Sequence, residues 1–214
     1  MTKMKALPAL LLACSVLAGC ISIPETEQEL AEGRAEAMQF ADVDYSDVEL
    51  ESPFEADKTI HETTTLEELY AELNFNPYGN SLYLVAINDP IGAMYAKSIR
   101  NESISMTSKL FPDILAVDNE ADAFRHAYFS FRLSQKIGVI RAKKFTDAYE
   151  ISNINKMGSR CMDLWNNREG RRMYSNTKDS SGDDKRLFAE KKVLNALSEG
   201  RLVTSPFKIK DWKK

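Results

Sequence analysis

The chain has 214 residues, 43% hydrophobic and 28% charged, a composition that predicts one soluble domain with appendages. Its net charge of −4 conceals a split: residues 20–72 carry sixteen Asp and Glu against Arg34 and Lys58, a net of −14, whereas residues 73–214 carry a net of +8. Of three cysteines two lie in the first twenty residues, which excludes a disulfide-built scaffold.

Lys3 and Lys5 precede an apolar run over residues 6–16 that closes on Leu17-Ala18-Gly19-Cys20. A permanent membrane helix needs about 20 apolar residues, so residues 1–19 read as a cleaved secretion signal. Its ending resembles the bacterial lipobox, and the resemblance implies that Cys20 becomes the acylated first residue of the mature chain. Two or three acyl chains, at about 0.8 kcal/mol per buried methylene, hold a protein on a membrane where one would not. Cys20 is therefore the expected lipidation site and the membrane an expected partner. Ile21 stands where an aspartate would resemble an inner-membrane retention signal. In an envelope with two membranes the expected location is thus the outer one, facing the periplasm. Removal of the signal leaves only Cys161 unmodified, which reads as a small buried hydrophobe.

Residues 20–62 read as an acidic tether. Leu30, Ala31, Ala35, Ala37 and Met38 give residues 25–40 the composition of a lone helix with a thin apolar stripe. Residues 42–57 show no sustained period and read as linker, and His61 falls in this region and is set aside. If residues 21–60 were fully flexible, their r.m.s. span would be about 35 Å, enough to hold a domain clear of a membrane surface. The alternative is an arm that lies on the basic face of the domain until an acidic ligand displaces it.

The folded domain is expected over residues 63–214. Thr64 or Thr65 can cap a helix starting at Leu66, with a glutamate three residues on capping in return. Asn76-Pro77-Tyr78-Gly79-Asn80 breaks it. Residues 81–87 read as a short helix, and Asp89-Pro90 starts a long one that stops before Pro112. Asp118 or Asn119 caps the next, which runs to about Lys136. Gly138 separates it from a helix over residues 139–155, and Gly158 breaks the chain before another over residues 162–174. Residues 175–183 read as an exposed loop, and residues 184–199 as the last helix, stopped by Gly200. Residues 201–209 read as an extended tail or a single edge strand. The fold class is all-α, an irregular bundle of about six helices.

Two stretches carry the chemistry. In Asn119–Leu133, NEADAFRHAYFSFRL, Asp122 lies one helical turn before His126, with Phe129 and Leu133 on the same stripe. An aspartate beside a partly buried imidazole favours its charged form and fixes its orientation, which suits a general base, a metal-ligand pair or a structural ion pair. Arg125 and Arg132 share another face beside Tyr128. In the second stretch, MDLWNNREGR, Asp163, Asn167 and Arg171 are spaced by four, with Asn166 and Gly170 on the neighbouring stripe. A glycine inside a helix costs about 1 kcal/mol against alanine, so Gly170 signals close approach of another helix or a ligand.

DAFRHAY and MDLWNNREGR resemble an uncharacterised bacterial all-α domain family found in secreted, wall-associated and toxin-like proteins. The resemblance spans roughly residues 76–202. It implies an intervening segment ending Ala-His-Glu, whereas here Tyr149 precedes Glu150. A two-histidine site, if the family has one, is reduced in this chain to His126 with acidic neighbours.

Three functions from different classes fit. One is an envelope lipoprotein whose polar residues form a buried network and whose domain has a non-catalytic binding or structural role, with an anionic envelope ligand or a protein as partner. Another is an envelope hydrolase with His126 as base, Asp122 orienting it and Asp163 positioning water or metal. Arg125, Glu150, Asn166, Asn167 and Arg171 are then the binding residues. The third is a toxin-related or immunity-type protein. No cofactor is implied and no metal is assigned. Without a glycine-rich phosphate loop, a Cys-x-x-Cys pair or an interleaved basic and aromatic pattern, no nucleic-acid partner is expected.

Overall fold

The computed structural model describes residues 49–51, 63–153, 155–177 and 184–210. The signal, Cys20, the lone helix expected over residues 25–40 and most of the loop at 175–183 lie outside the described residues. Among the described residues seven helices make an all-α domain: α1 Leu66–Glu72, α2 Leu82–Asn88, α3 Pro90–Leu110, α4 Glu120–Ile137, α5 Val139–Ser152, α6 Met157–Ser175 and α7 Lys185–Ser198. Three strands of three residues, β1 Glu49–Glu51, β2 Thr63–Thr65 and β3 Lys208–Lys210, form an antiparallel sheet in the order β2-β1-β3. Glu49 faces Thr65 on one side and Lys210 on the other.

Local chemistry sets most of the helix starts. Thr65 and Glu68 form the reciprocal capping box of α1. Asp89 caps α3 through the Gly92 N–H and also grips Arg141 of α5 with both carboxylate oxygens, at 2.7 and 2.9 Å. Asn119 caps α4 by accepting from the N–H groups of Ala121 and Asp122. Gly138, at φ +81°, lets the chain turn directly from α4 into α5.

Three expectations are corrected. Part of the region read as linker, residues 49–51, is a strand, too short to show alternation and held by its two partners. The helix that carries Trp165, expected to start at Met162, begins at Met157, so Gly158 sits in its first turn and does not break the chain. A Cβ there would stand 2.1 Å from the carbonyl oxygen of Phe207, and the glycine serves this close approach of the C-terminal segment. Finally, α5 stops at Ser152, whose hydroxyl accepts from the Leu82 N–H at the start of α2, at 2.8 Å.

Helix α4 is the central post. Its side chains Phe124, Tyr128, Phe131 and Leu133 are fully buried, each contributing roughly 1.5–3 kcal/mol on enclosure. On one side it packs with α1, α6, α7 and the segment around Leu202, Val203 and Phe207. On the other, Leu133 and Ile137 join Ala96 and Ile99 of α3 and Phe145 and Ala148 of α5. Because α4 is covered on both sides, its polar residues are buried too and must find partners. Arg132 binds Glu102 of α3 through two nitrogens, at 2.6 and 3.2 Å, and the Tyr128 hydroxyl donates to the same carboxylate at 2.9 Å. Burial would push Glu102 up, but these hydrogen bonds carry its pKa below the ordinary value. Among the described residues no helix is long and apolar enough to cross a membrane.

Candidate functional site around His126

Three helices bring their polar residues to one place. His126 comes from α4, Glu150 from α5 and Asp163 and Asn167 from α6. The crossing of α4 and α6 is close because Gly170 has no side chain: a Cβ there would lie 2.2 Å from the Ala127 carbonyl oxygen. This is the close helix approach that the glycine signalled. It sets Asp163, two turns earlier on α6, against His126.

The imidazole is bounded by acids. Its Nε2 lies 3.4 Å from Asp122 Oδ1 and 3.3 Å from Asp163 Oδ1, and its Nδ1 lies 3.7 Å from Glu150 Oε1. Arg125 closes the group, its Nη2 being 2.5 Å from Asp122 Oδ1 and 3.3 Å from His126 Nε2. Asp122 is fixed at the start of α4, where its other oxygen accepts from the Asp118 N–H at 2.9 Å. Asp118 itself adopts the left-handed region, φ +51°, which aspartate tolerates, and accepts from the Ser159 hydroxyl. Asp163 Oδ2 accepts from Asn155 Nδ2 at 3.0 Å, while its Oδ1 is buried without a hydrogen-bond donor among the described residues. Asn167 accepts from Ser130 at 2.7 Å and donates to Glu150 Oε1 at 3.0 Å; Glu150 Oε2 has no hydrogen-bond partner among the described residues.

These surroundings pull the acids apart in acidity. For Asp122, burial raises the pKa, but the His126 hydrogen bond and the charges of His126 and Arg125 outweigh it and bring the value down to about 2. Glu150, fully enclosed, is pushed by burial up to about 8. Burial likewise drives Asp163 well above the ordinary carboxylate range, against the pull of His126. For His126, burial favours the neutral ring, but Asp163 and Asp122 hold its pKa above the ordinary value. Near neutral pH the group therefore holds an ionised Asp122 and a largely protonated Glu150.

A pocket of about 590 Å³, open solvent included, ends on this group. Leu82, Ala96, Ile104, Phe129 and Phe145 form its apolar walls; Arg100, Arg125, His126, Tyr149, Glu150 and Asn167 supply polar groups. Among the described residues no acid pairs with Arg100. Tyr149 thus occupies the pocket lining where the resemblance implied a histidine.

Most of the site residues expected from the sequence meet here: Asp122, Arg125, His126, Glu150, Asp163 and Asn167. Arg171 lies at the edge, donating to the Thr146 hydroxyl at 2.6 Å, with burial lowering its pKa to about 10. Asn166 does not join them. Its amide binds both backbone groups of Val203, at 2.8 and 2.9 Å, and so clamps the C-terminal segment on the other side of α6. Arg132 likewise turns away, to Glu102. Asn155 and Arg100 escaped the sequence reading because single polar residues outside the two stretches carry no spacing that marks them, and Ser130 because it stands between the aromatic residues of the first. Cys161 is buried, as expected of a small hydrophobe.

A search of curated proteins and a search of solved structures find no match for this chain. A family model does match, over residues 83–201, a span of more than half the chain that includes both motifs. The chain belongs to that family, described as a domain of unknown function (DUF6973).

Proposed function

We propose that this is a lipid-anchored envelope protein whose helical domain binds a small amphipathic, acidic ligand without transforming it. The observation that carries the binding reading is the pocket: its apolar walls are joined by polar groups, among them Arg100, which has no acidic partner among the described residues. Such a cleft, with a few convergent polar groups, is the usual form of a small-molecule site. Glu150 does not oppose an anion there, because burial keeps it protonated near neutral pH. The net charge of +8 over residues 73–214 supports the same sign of ligand.

Dodecanoate is a suitable probe. We expect Ala96→Trp, which fills the pocket, to abolish its binding in calorimetry, and Arg100→Gln to weaken it roughly tenfold, the worth of a charge-assisted hydrogen bond. Equal binding by the wild type and Ala96→Trp would refute the pocket reading.

The anchoring part rests on the lipobox-like ending at Cys20. Exposed apolar side chains on α2 and the start of α3, among them Tyr83, Leu84, Ile91, Met94 and Tyr95, suit a domain that works beside a membrane. Replacing Cys20 with alanine is expected to remove the acyl mass and move the protein from the membrane to the soluble fraction. Continued membrane retention without acylation would contradict the assignment.

A hydrolase remains the second reading, favoured by the contact of His126 with both Asp122 and Asp163 at the pocket's end. It requires turnover, which His126→Gln would remove while dodecanoate binding persists.

A further inference from the structure

We propose that Asp122, His126 and Asp163 form a site for one first-row divalent cation, such as Mn2+, Fe2+ or Zn2+. One ligand atom from each of the three lies within 4.8 Å of the others. The pocket is lined by His126 but not by the two aspartates, so this inference does not depend on the pocket reading.

The distances are long for strong hydrogen bonds and fit groups that share a cation. A charge-assisted N–H···O bond is about 2.7–2.9 Å long, whereas His126 Nε2 stands 3.4 Å from Asp122 Oδ1 and 3.3 Å from Asp163 Oδ1. Two atoms each about 2.1 Å from one cation, at an angle between square and tetrahedral, lie about 3.0–3.4 Å apart. The second, independent observation is Asp163 Oδ1 itself. It is buried and lacks a hydrogen-bond donor, although a carboxylate oxygen in such a place should have one. A cation between the three groups would satisfy it.

The outer contacts are those a metal site uses. Glu150 Oε1 lies on the Nδ1 side of the ring, which leaves Nε2 to face the aspartates. Asn155 holds the second oxygen of Asp163, and the Asp118 N–H holds the second oxygen of Asp122. One nitrogen and two carboxylate oxygens suit the harder first-row cations and zinc. Arg125 is then a competitor, not a ligand. Its guanidinium lies against both Asp122 Oδ1 and His126 Nε2, and it is only partly buried and lines the pocket. It has room to withdraw as the cation enters.

The test uses the full-length protein in detergent, stripped with chelator and titrated separately with Mn2+, Zn2+ and Co2+. One cation per chain is expected. Asp163→Asn should weaken binding by more than about 100-fold, beyond the usual cost of losing an outer contact, and should abolish the visible absorption of bound Co2+. Arg125→Gln should instead bind more tightly. Asparagine is isosteric and keeps an oxygen for Asn155, and the unfolding transition of each metal-free variant checks that it is folded. No binding by the wild type, or equal binding by wild type and a folded Asp163→Asn, would overturn the proposal. The latter would place the ion on other carboxylates. Unchanged affinity in Arg125→Gln would overturn the competitor role.

Discussion

Gly170→Ala is expected to destabilise the domain by about 3 kcal/mol or more, and a larger residue there to prevent folding. At a solvent-facing helix position the same change would stabilise by about 1 kcal/mol, so the sign alone is informative. Position 170 is not solvent-facing. A Cβ would stand 2.2 Å from the Ala127 carbonyl oxygen and 2.9 Å from Ser130 Cβ, and neither can yield cheaply. The carbonyl belongs to the central helix, and Ser130 is fixed by its bond to Asn167. Separating α4 from α6 would also pull Asp163 away from His126, so the cation affinity proposed above should fall together with stability. Urea unfolding of the two proteins measures this directly. A stabilised variant would mean that the helices cross less closely than described.

The second large effect is a pH dependence. Glu150→Gln is expected to stabilise the chelator-treated protein in alkaline solution and to change little in acid. The carboxyl of Glu150 is raised from an ordinary 4.5 to about 8, chiefly by burial. Its folded form therefore holds a proton that the unfolded chain has lost between those values, and stability falls as pH rises through the window. Each unit within it removes up to about 1.4 kcal/mol. Arg160, Asn167 and Arg125 oppose the shift and Asp122 adds to it. His126, also raised, contributes stability below its unfolded pKa that is lost as pH climbs past the folded one. Both groups thus weaken the fold in the same direction, and the difference between wild type and Glu150→Gln isolates the glutamate. The gain should be near zero below pH 4.5 and level off near pH 8. Asp122 works the other way: held down at about 2, it contributes stability that is lost only as acid protonates it. A gain independent of pH would show that Glu150 is not the titrating group.

Helix boundaries were legible where side chains act on their own backbone. Thr65 with Glu68, Asp89 with Pro90, Asn119 and Gly138 each start or stop a helix through contacts within a turn, and local contacts are written in local sequence. The fourfold spacing of Asp122 with His126, and of Asp163 with Asn167, placed each pair on one helix stripe. Helical geometry alone requires that much.

Which stripes face one another is a different matter. That Asp163 meets His126, that Glu150 closes the far side of the ring, and that Asn166 turns away to hold Val203 depend on how three helices cross. A crossing is set by summed packing over many residues and by a single close approach at Gly170, and no spacing within one helix encodes it. The strand at Glu49–Glu51 was hidden for the same reason: three residues have no period, and their partners lie far away in the chain. By itself the sequence determined the all-α class, the helix caps, the charge split and the residues able to do chemistry. Tertiary structure alone decided which of those residues share a site, because burial and convergence, which shift their acidities and leave Asp163 Oδ1 unsatisfied, are properties of the packed helices.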